Sequence, residues 1–357
     1  MRRKTRALSL FLAVVLLFSI PVCGNAETEK SANNAAVEAI INRYSFTDNI
    51  LFTIEESFSM RSFTDNAVQY TLYTLNPYGY AVFYNETGAF MEGCYRKNSF
   101  AEGLETAGTY YYGGPGQYYL YKDGSFSSLI SNGRLTQEAL QILAGSESRV
   151  HAIEEAKEKT DSRSARGAIE NDVSVLVQQS YFAGLTEHGQ NVNGTCTVVA
   201  TAILLGYYAN FVNSRFVPTQ YRDGNGTTES FHQLLNSYVY KNNQQGGIYI
   251  HDAVSGINSY LSSQGLGYRM QYYNNSIQAN VINKMVSTLT AGRPLIASVG
   301  MSYGATYNHT MVIYGVEYNS TTSIMASAIF RVHMGWSAPY TAMSISGSWF
   351  YECGYIV

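Results

Sequence analysis

The chain has 357 residues, length for about two domains, with 23 Lys and Arg against 26 Asp and Glu and a net charge of −3. Sparse charge close to neutrality excludes the basic footprint of a nucleic-acid-binding protein and an acidic interaction tail. The 31 Tyr and 31 Gly suit a β-rich protein with wet surfaces, as extracellular proteins often are.

Taken in chain order, the first feature is a targeting segment. Arg2, Arg3, Lys4 and Arg6 are basic, Ala7–Val22 is apolar, and Gly24-Asn25-Ala26 puts small residues at the −3 and −1 positions of a cleavage site. Residues 1–26 are therefore expected to be a Sec-type signal peptide and the product secreted. The apolar run is too short for a membrane span. Ile20-Pro21-Val22 makes a poor lipobox, so lipid anchoring at Cys23 is not expected. Cys94, Cys196 and Cys353 then remain, an odd and widely spaced set that is no disulfide framework, although a Cys94–Cys353 pair stays open. A reactive free thiol becomes the more interesting reading.

Residues 27–34 are polar and expected to be irregular, and Ala35–Tyr44 spaces Val37, Ile40 and Ile41 as one face of a short helix. From Ile50 to Ser131 the pattern is strand-like. Asn85-Glu86-Thr87-Gly88 marks one turn, and Lys122-Asp123-Gly124 between two aromatic runs marks a hairpin. Residues 27–150 thus read as a small α+β domain without a cluster of chemistry-bearing side chains. Residues 151–167 are charged and end in Arg163-Ser164-Ala165-Arg166-Gly167, the composition of a nickable linker or of an ordinary solvated connection. Beyond them, residues 168–357 show helical patterns at 230–238, 252–262 and 277–289. Strand patterns follow at 294–299, 310–316, 325–333, 341–345 and 350–357. Helices first and strands afterwards predict an α+β domain with helices packed on an antiparallel sheet.

The stretch that carries chemistry is Gln190-Asn191-Val192-Asn193-Gly194-Thr195-Cys196 and the apolar run Thr197–Phe211 behind it. That run is too apolar for a surface helix and suits a buried central one. A cysteine in its first turn sits at the positive end of the helix dipole, which favours the nucleophilic thiolate. Gln190 can offer side-chain N–H groups to an oxyanion, with the Cys196 N–H as second donor. The alternative for Cys196 is a small buried core residue.

Few histidines compete for the role of base. His151 lies in the connector, His188 in a polar loop; His232 is expected at a helix surface or rim, and His251 at a helix start where it packs or caps. His309 follows the loop Ser302–Asn308 and opens a strand, which suits a general acid/base facing a thiol across a cleft. His333, in Val332-His333-Met334-Gly335-Trp336, is positioned to orient His309 as the third member of a triad; each histidine also has a purely structural reading. Phosphate-cradling, CxxC and HExxH motifs are lacking, and no cofactor or metal is expected.

With these residues in hand, the sequence resembles papain-like cysteine peptidases of the secreted bacterial kind, both streptopain-like and bacteriocin-leader-peptidase-like. The resemblance covers roughly residues 173–357. It rests on the order Gln190, Cys196 with its apolar helix, Gly292-Arg293-Pro294-Leu295-Ile296, Asn308-His309-Thr310-Met311-Val312-Ile313-Tyr314-Gly315, and the Gly335-Trp336 pair. It implies Cys196 as nucleophile, His309 as general acid/base and Gln190 in the oxyanion hole. The third residue in such enzymes is usually Asn or Asp, and His333 departs from that. Streptopain-type enzymes carry a pro-domain, which residues 27–150 resemble.

The expected function is a secreted cysteine peptidase made as a zymogen, with a protein or peptide substrate and its own pro-domain as partners, and neither nucleic acid nor a stable membrane span. Two alternatives stand beside it: amide transfer or deamidation by the same Cys–His pair, and a catalytically inactive secreted binding module.

Overall fold

Turn chemistry sets the N-terminal strands. A computed structural model describes residues 26–45, 50–97, 99–130, 134–135, 137, 140–141, 172–185, 195–224, 226–240, 248–275, 277–299, 309–321, 324–335 and 342–357. The signal segment 1–25, the connector 151–167, Gln190, the loop 302–308 and Trp336 lie outside the described residues.

Helix α1 (Ala26–Arg43) takes in the stretch 27–34 expected to be irregular. Neither Gly nor Pro interrupts its sequence. The strands β1 (Thr53–Arg61), β2 (Val68–Asn76), β3 (Tyr80–Tyr84), β4 (Ala89–Cys94), β5 (Thr109–Tyr112), β6 (Tyr118–Lys122) and β7 (Ser125–Ser128) follow. At the β6–β7 turn Asp123 (φ 52°) and Gly124 (φ 75°) are both left-handed, the pairing that lets a two-residue hairpin follow the strand twist.

The second half runs β8 (Asp172–Leu176), α2 (Gln179–Gly184), α3 (Cys196–Phe211), β9 (Arg222–Asp223), β10 (Gly226–Thr227), α4 (Glu229–Val239), α5 (Ile250–Ser263), β11 (Met270–Asn274), α6 (Gln278–Thr290), β12 (Leu295–Val299), β13 (His309–Asn319), α7 (Ile324–Ser327), β14 (Ile329–His333), β15 (Ala342–Ser346) and β16 (Phe350–Ile356). The strand pattern expected over 325–333 divides into the short α7 and β14. The fold is α+β: helices pack against a large sheet of order β11-β16-β12-β13-β14-β15-β4-β3-β2-β1-β5-β6-β7, with β8 on β13. Its pairs are antiparallel except β1–β5. The sheet runs unbroken between the two halves of the sequence through β15 and β4, where Met343, Ser344 and Ile345 face Cys94, Gly93 and Glu92.

Helix α3 is the centre of the second half. Fourteen of its sixteen residues are buried, as expected of a helix apolar on every face. It packs against β13, so the start of α3 and the start of β13 come together.

Buried charge marks two places near the β4–β15 junction. Glu92 on β4 accepts hydrogen bonds from the hydroxyls of Tyr80 (3.4 Å), Tyr112 (2.8 Å) and Tyr118, while burial pushes its carboxyl up to about 7. Arg331 on β14, 3 % exposed, donates to Glu317 Oε1 (2.5 Å), Ser344 Oγ (2.5 Å), the Tyr44 carbonyl and the Arg43 carbonyl (3.4 Å). The guanidinium thereby holds the Arg43 and Tyr44 main chain against β14 while pairing with Glu317 of β13.

Candidate active site

Cys196 is the first residue of α3 and 5 % exposed. Burial pushes its thiol up. Hydrogen bonds from the Thr310 N–H and hydroxyl, and then from Thr197, oppose that shift. His309, 6 % exposed, is the first residue of β13 and faces Val299 of β12 in the ladder. The residues that follow the two candidates, Thr197 and Thr310, are joined hydroxyl to hydroxyl at 3.0 Å. The helix–strand contact thus brings the start of α3 next to the start of β13.

The imidazole of His309 is held by main chain. Its Nε2–H donates to the Met334 carbonyl at 2.6 Å, and this fixes the tautomer with the lone pair on Nδ1, the nitrogen able to take a thiol proton. Burial lowers the ring to about 4, partly offset by the Met334 bond. In the intact chain, then, thiol and imidazole are both neutral at pH 7. The orienting acceptor is a backbone carbonyl, a partner that side-chain motifs cannot reveal.

His333, fully buried on β14, uses both ring nitrogens structurally. Nδ1 accepts the Gly335 N–H at 3.1 Å, and Nε2–H donates to the Leu185 carbonyl at 3.3 Å. The first bond closes the turn that presents the Met334 carbonyl to His309; the second fixes the end of α2. Burial lowers its ring to about 4 as well. Its placement is that of a group supporting His309 through the turn.

Gly335 completes this turn at φ +72°, and a Cβ there would meet Val199 Cγ1 of α3 at 3.1 Å. Gly335→Ala combines left-handed strain of about 1–2 kcal/mol with that crowding. It is expected to lower Tm by roughly 2–8 °C. Because the turn carries the Met334 carbonyl, any activity that uses the His309 ring falls with it; thermal unfolding and steady-state kinetics on one preparation check both.

His232, expected at a surface or rim, is instead 5 % exposed, because α4 turns it inward to Thr227 Oγ1 at 3.1 Å. With Glu229, Gln233 and Asn236 it lines a pocket of about 110 Å³ against Thr195, Val198 and Val199, the residues flanking Cys196. His251 in the first turn of α5 meets Glu352 Oε2 at 3.3 Å and Asp252 Oδ1 at 3.4 Å.

Residues 170–349, just over half of the chain, match the Peptidase_C39 like family. The chain belongs to that family. As a member of the Peptidase_C39 like family it is a cysteine peptidase, a hydrolase. No curated protein matches its sequence. Among solved structures it is similar to prointerpain A of Prevotella intermedia, with 15 % identity and a TM-score of 0.38, over 85 % of this chain and 98 % of that one. It is also similar to the Pseudomonas avirulence protein AvrPphB, with 11 % identity and a TM-score of 0.24, over 49 % of this chain and 99 % of that one.

Proposed function

We propose that this member of the Peptidase_C39 like family is a secreted cysteine peptidase made as a latent precursor, with Cys196 as nucleophile and His309 as general acid/base. What supports the pair is the 3.0 Å hydroxyl contact between Thr197 and Thr310, which sets the main chain at the start of α3 beside that at the start of β13. In the reaction, His309 Nδ1 takes the thiol proton and the Cys196 sulfur attacks the peptide carbonyl. The oxyanion is received by the Cys196 N–H at the helix start and by the side chain of Gln190. His309 returns the proton to the leaving amine; a water, deprotonated by the same nitrogen, then hydrolyses the acyl-enzyme. The Met334 carbonyl stabilises the transient imidazolium and keeps its ring oriented.

Latency has its own support. Burial in the intact chain raises the thiol and lowers the imidazole, which disfavours the charged pair that reaction requires. Arg96, just past β4, donates to the Ala183 carbonyl of α2, and Arg331 grips the Arg43 and Tyr44 carbonyls, so the N-terminal segment is bound to elements beside the site. Residues 27–150 act as the pro-domain, and cutting within 151–167, near Arg163–Gly167, releases it. Residues 1–26 direct export. The substrates are proteins or peptides.

Purified chain lacking residues 1–26 tests this. Incubation is expected to yield a fragment starting near residue 167, and hydrolysis of a fluorogenic peptide should rise at least tenfold with its appearance. Products formed with a competing amine present should remain free acids. Unchanged activity after complete cleavage of the connector would refute latency; predominant transfer to the amine would refute hydrolysis as the main reaction.

A further inference from the structure

Behind the thiol stands a row of buried hydroxyls that the steps above do not use: Ser298 on β12 (1 % exposed), Thr310 on β13 (2 %) and Thr197 on α3 (0 %). Thr310 Oγ1 lies 3.0 Å from Thr197 Oγ1 and 3.1 Å from Ser298 Oγ. Its hydroxyl and its N–H also reach the Cys196 sulfur.

A hydroxyl has one proton to give. Ser298 donates to Glu352 Oε1 at 2.9 Å, and Thr197 donates to the Ile248 carbonyl at 2.6 Å. Glu352 is fully buried and held in place by the Ile250 N–H at 3.1 Å and by His251 Nδ1 at 3.3 Å. Both flanking hydroxyls thus have an acceptor on the far side, and Thr197's reaches the sulfur as well, as a lesser partner than Thr310's. Thr310's proton has the widest choice, among Ser298 Oγ, Thr197 Oγ1 and the sulfur. While the sulfur is a neutral thiol, either hydroxyl oxygen keeps that proton satisfied. Once the sulfur is a thiolate it becomes the one anionic acceptor of the three, and hydrogen bonds to ions are the stronger ones.

We propose that Thr310 is a catalytic residue of this site, its hydroxyl swinging onto the Cys196 sulfur as the thiolate forms and back to Ser298 or Thr197 when the thiol is restored. The inference rests on the reading of Cys196 as nucleophile. The hydroxyl proton stays on its oxygen throughout, and the thiol proton goes to His309 Nδ1. Besides His309, the titratable groups that act on this sulfur's surroundings are Tyr240 and Tyr351, both of which feel its charge, together with Glu352 and His251 behind Ser298. None of these supplies a hydroxyl to the sulfur in place of Thr310.

The test reads thiolate formation apart from hydrolysis. Rates of Cys196 alkylation by iodoacetamide, located by peptide mass spectrometry, are followed against pH in the full chain. Thr310→Val is expected to raise the midpoint by about 1–2 pH units, the worth of a hydrogen bond to a charged group, and Thr310→Ser to restore it. Should Val disturb folding, Thr310→Ala makes the same comparison with Ser. Coincident midpoints in the wild type and a folded Val or Ala variant would overturn the proposal, as would a Ser variant shifted as far as they are. A shifted midpoint together with an unaltered failure to cleave any peptide would uphold the thiolate donor and defeat the peptidase reading alone.

Discussion

Cys196→Ala is expected to lower kcat/KM for peptide hydrolysis by about five orders of magnitude, and His309→Ala by nearly as much. The two residues act as one unit: without sulfur no acyl-enzyme forms, and without imidazole the buried thiol keeps its proton. Burial raises the thiol, so His309 is needed to ionise it near neutrality. The double variant should consequently be no worse than either single one, within experimental scatter. Steady-state kinetics of the four proteins check this, with an active-site titration to exclude trace wild type. Losses that multiplied would mean that the two side chains serve separate steps.

The second large effect is on stability. Glu317→Ala removes the carboxylate partner of Arg331, which is 3 % exposed; with Glu317 itself 16 % exposed and three other acceptors left, the cost lies below the about 3–5 kcal/mol of a fully buried pair. The double variant Glu317→Leu/Arg331→Met is expected to lose less than Glu317→Ala, because neither charge remains to be desolvated. The Tyr44 carbonyl still accepts from Ser344 Oγ at 2.8 Å in that variant. Urea denaturation with a common m-value measures the difference. A double variant less stable than the single would place the value of this cluster in the clasp on Arg43 and Tyr44 instead of in charge compensation.

The buried central helix was legible because a run apolar on every side suits burial, and Cys196 stands at its first turn. Asp123-Gly124 was legible for an equally local reason, since its two left-handed residues define the hairpin. The place of His309 at a strand mouth was legible too. What held its ring was not, because the Met334 carbonyl is main chain and carries no residue signature. The same holds for the hydroxyl row: Ser298, Thr310 and Thr197 are unremarkable in sequence and become a unit only when β12, β13 and α3 meet. His232 was placed at a surface or rim from its position on a helix alone; the direction in which α4 turns it depends on α3. The irregular start expected before Ala35 gave too much weight to polar composition, and too little to an uninterrupted run of residues compatible with a helix.

The central claim is that Cys196 and His309 form one ionising pair, and its most direct measurement is the pH dependence of Cys196 alkylation in connector-cleaved protein, wild type against His309→Ala. The account predicts that wild type is alkylated rapidly below pH 7 and that the variant reacts only as pH rises toward 9 and beyond, as a solitary buried thiol does. Superimposable profiles would contradict it.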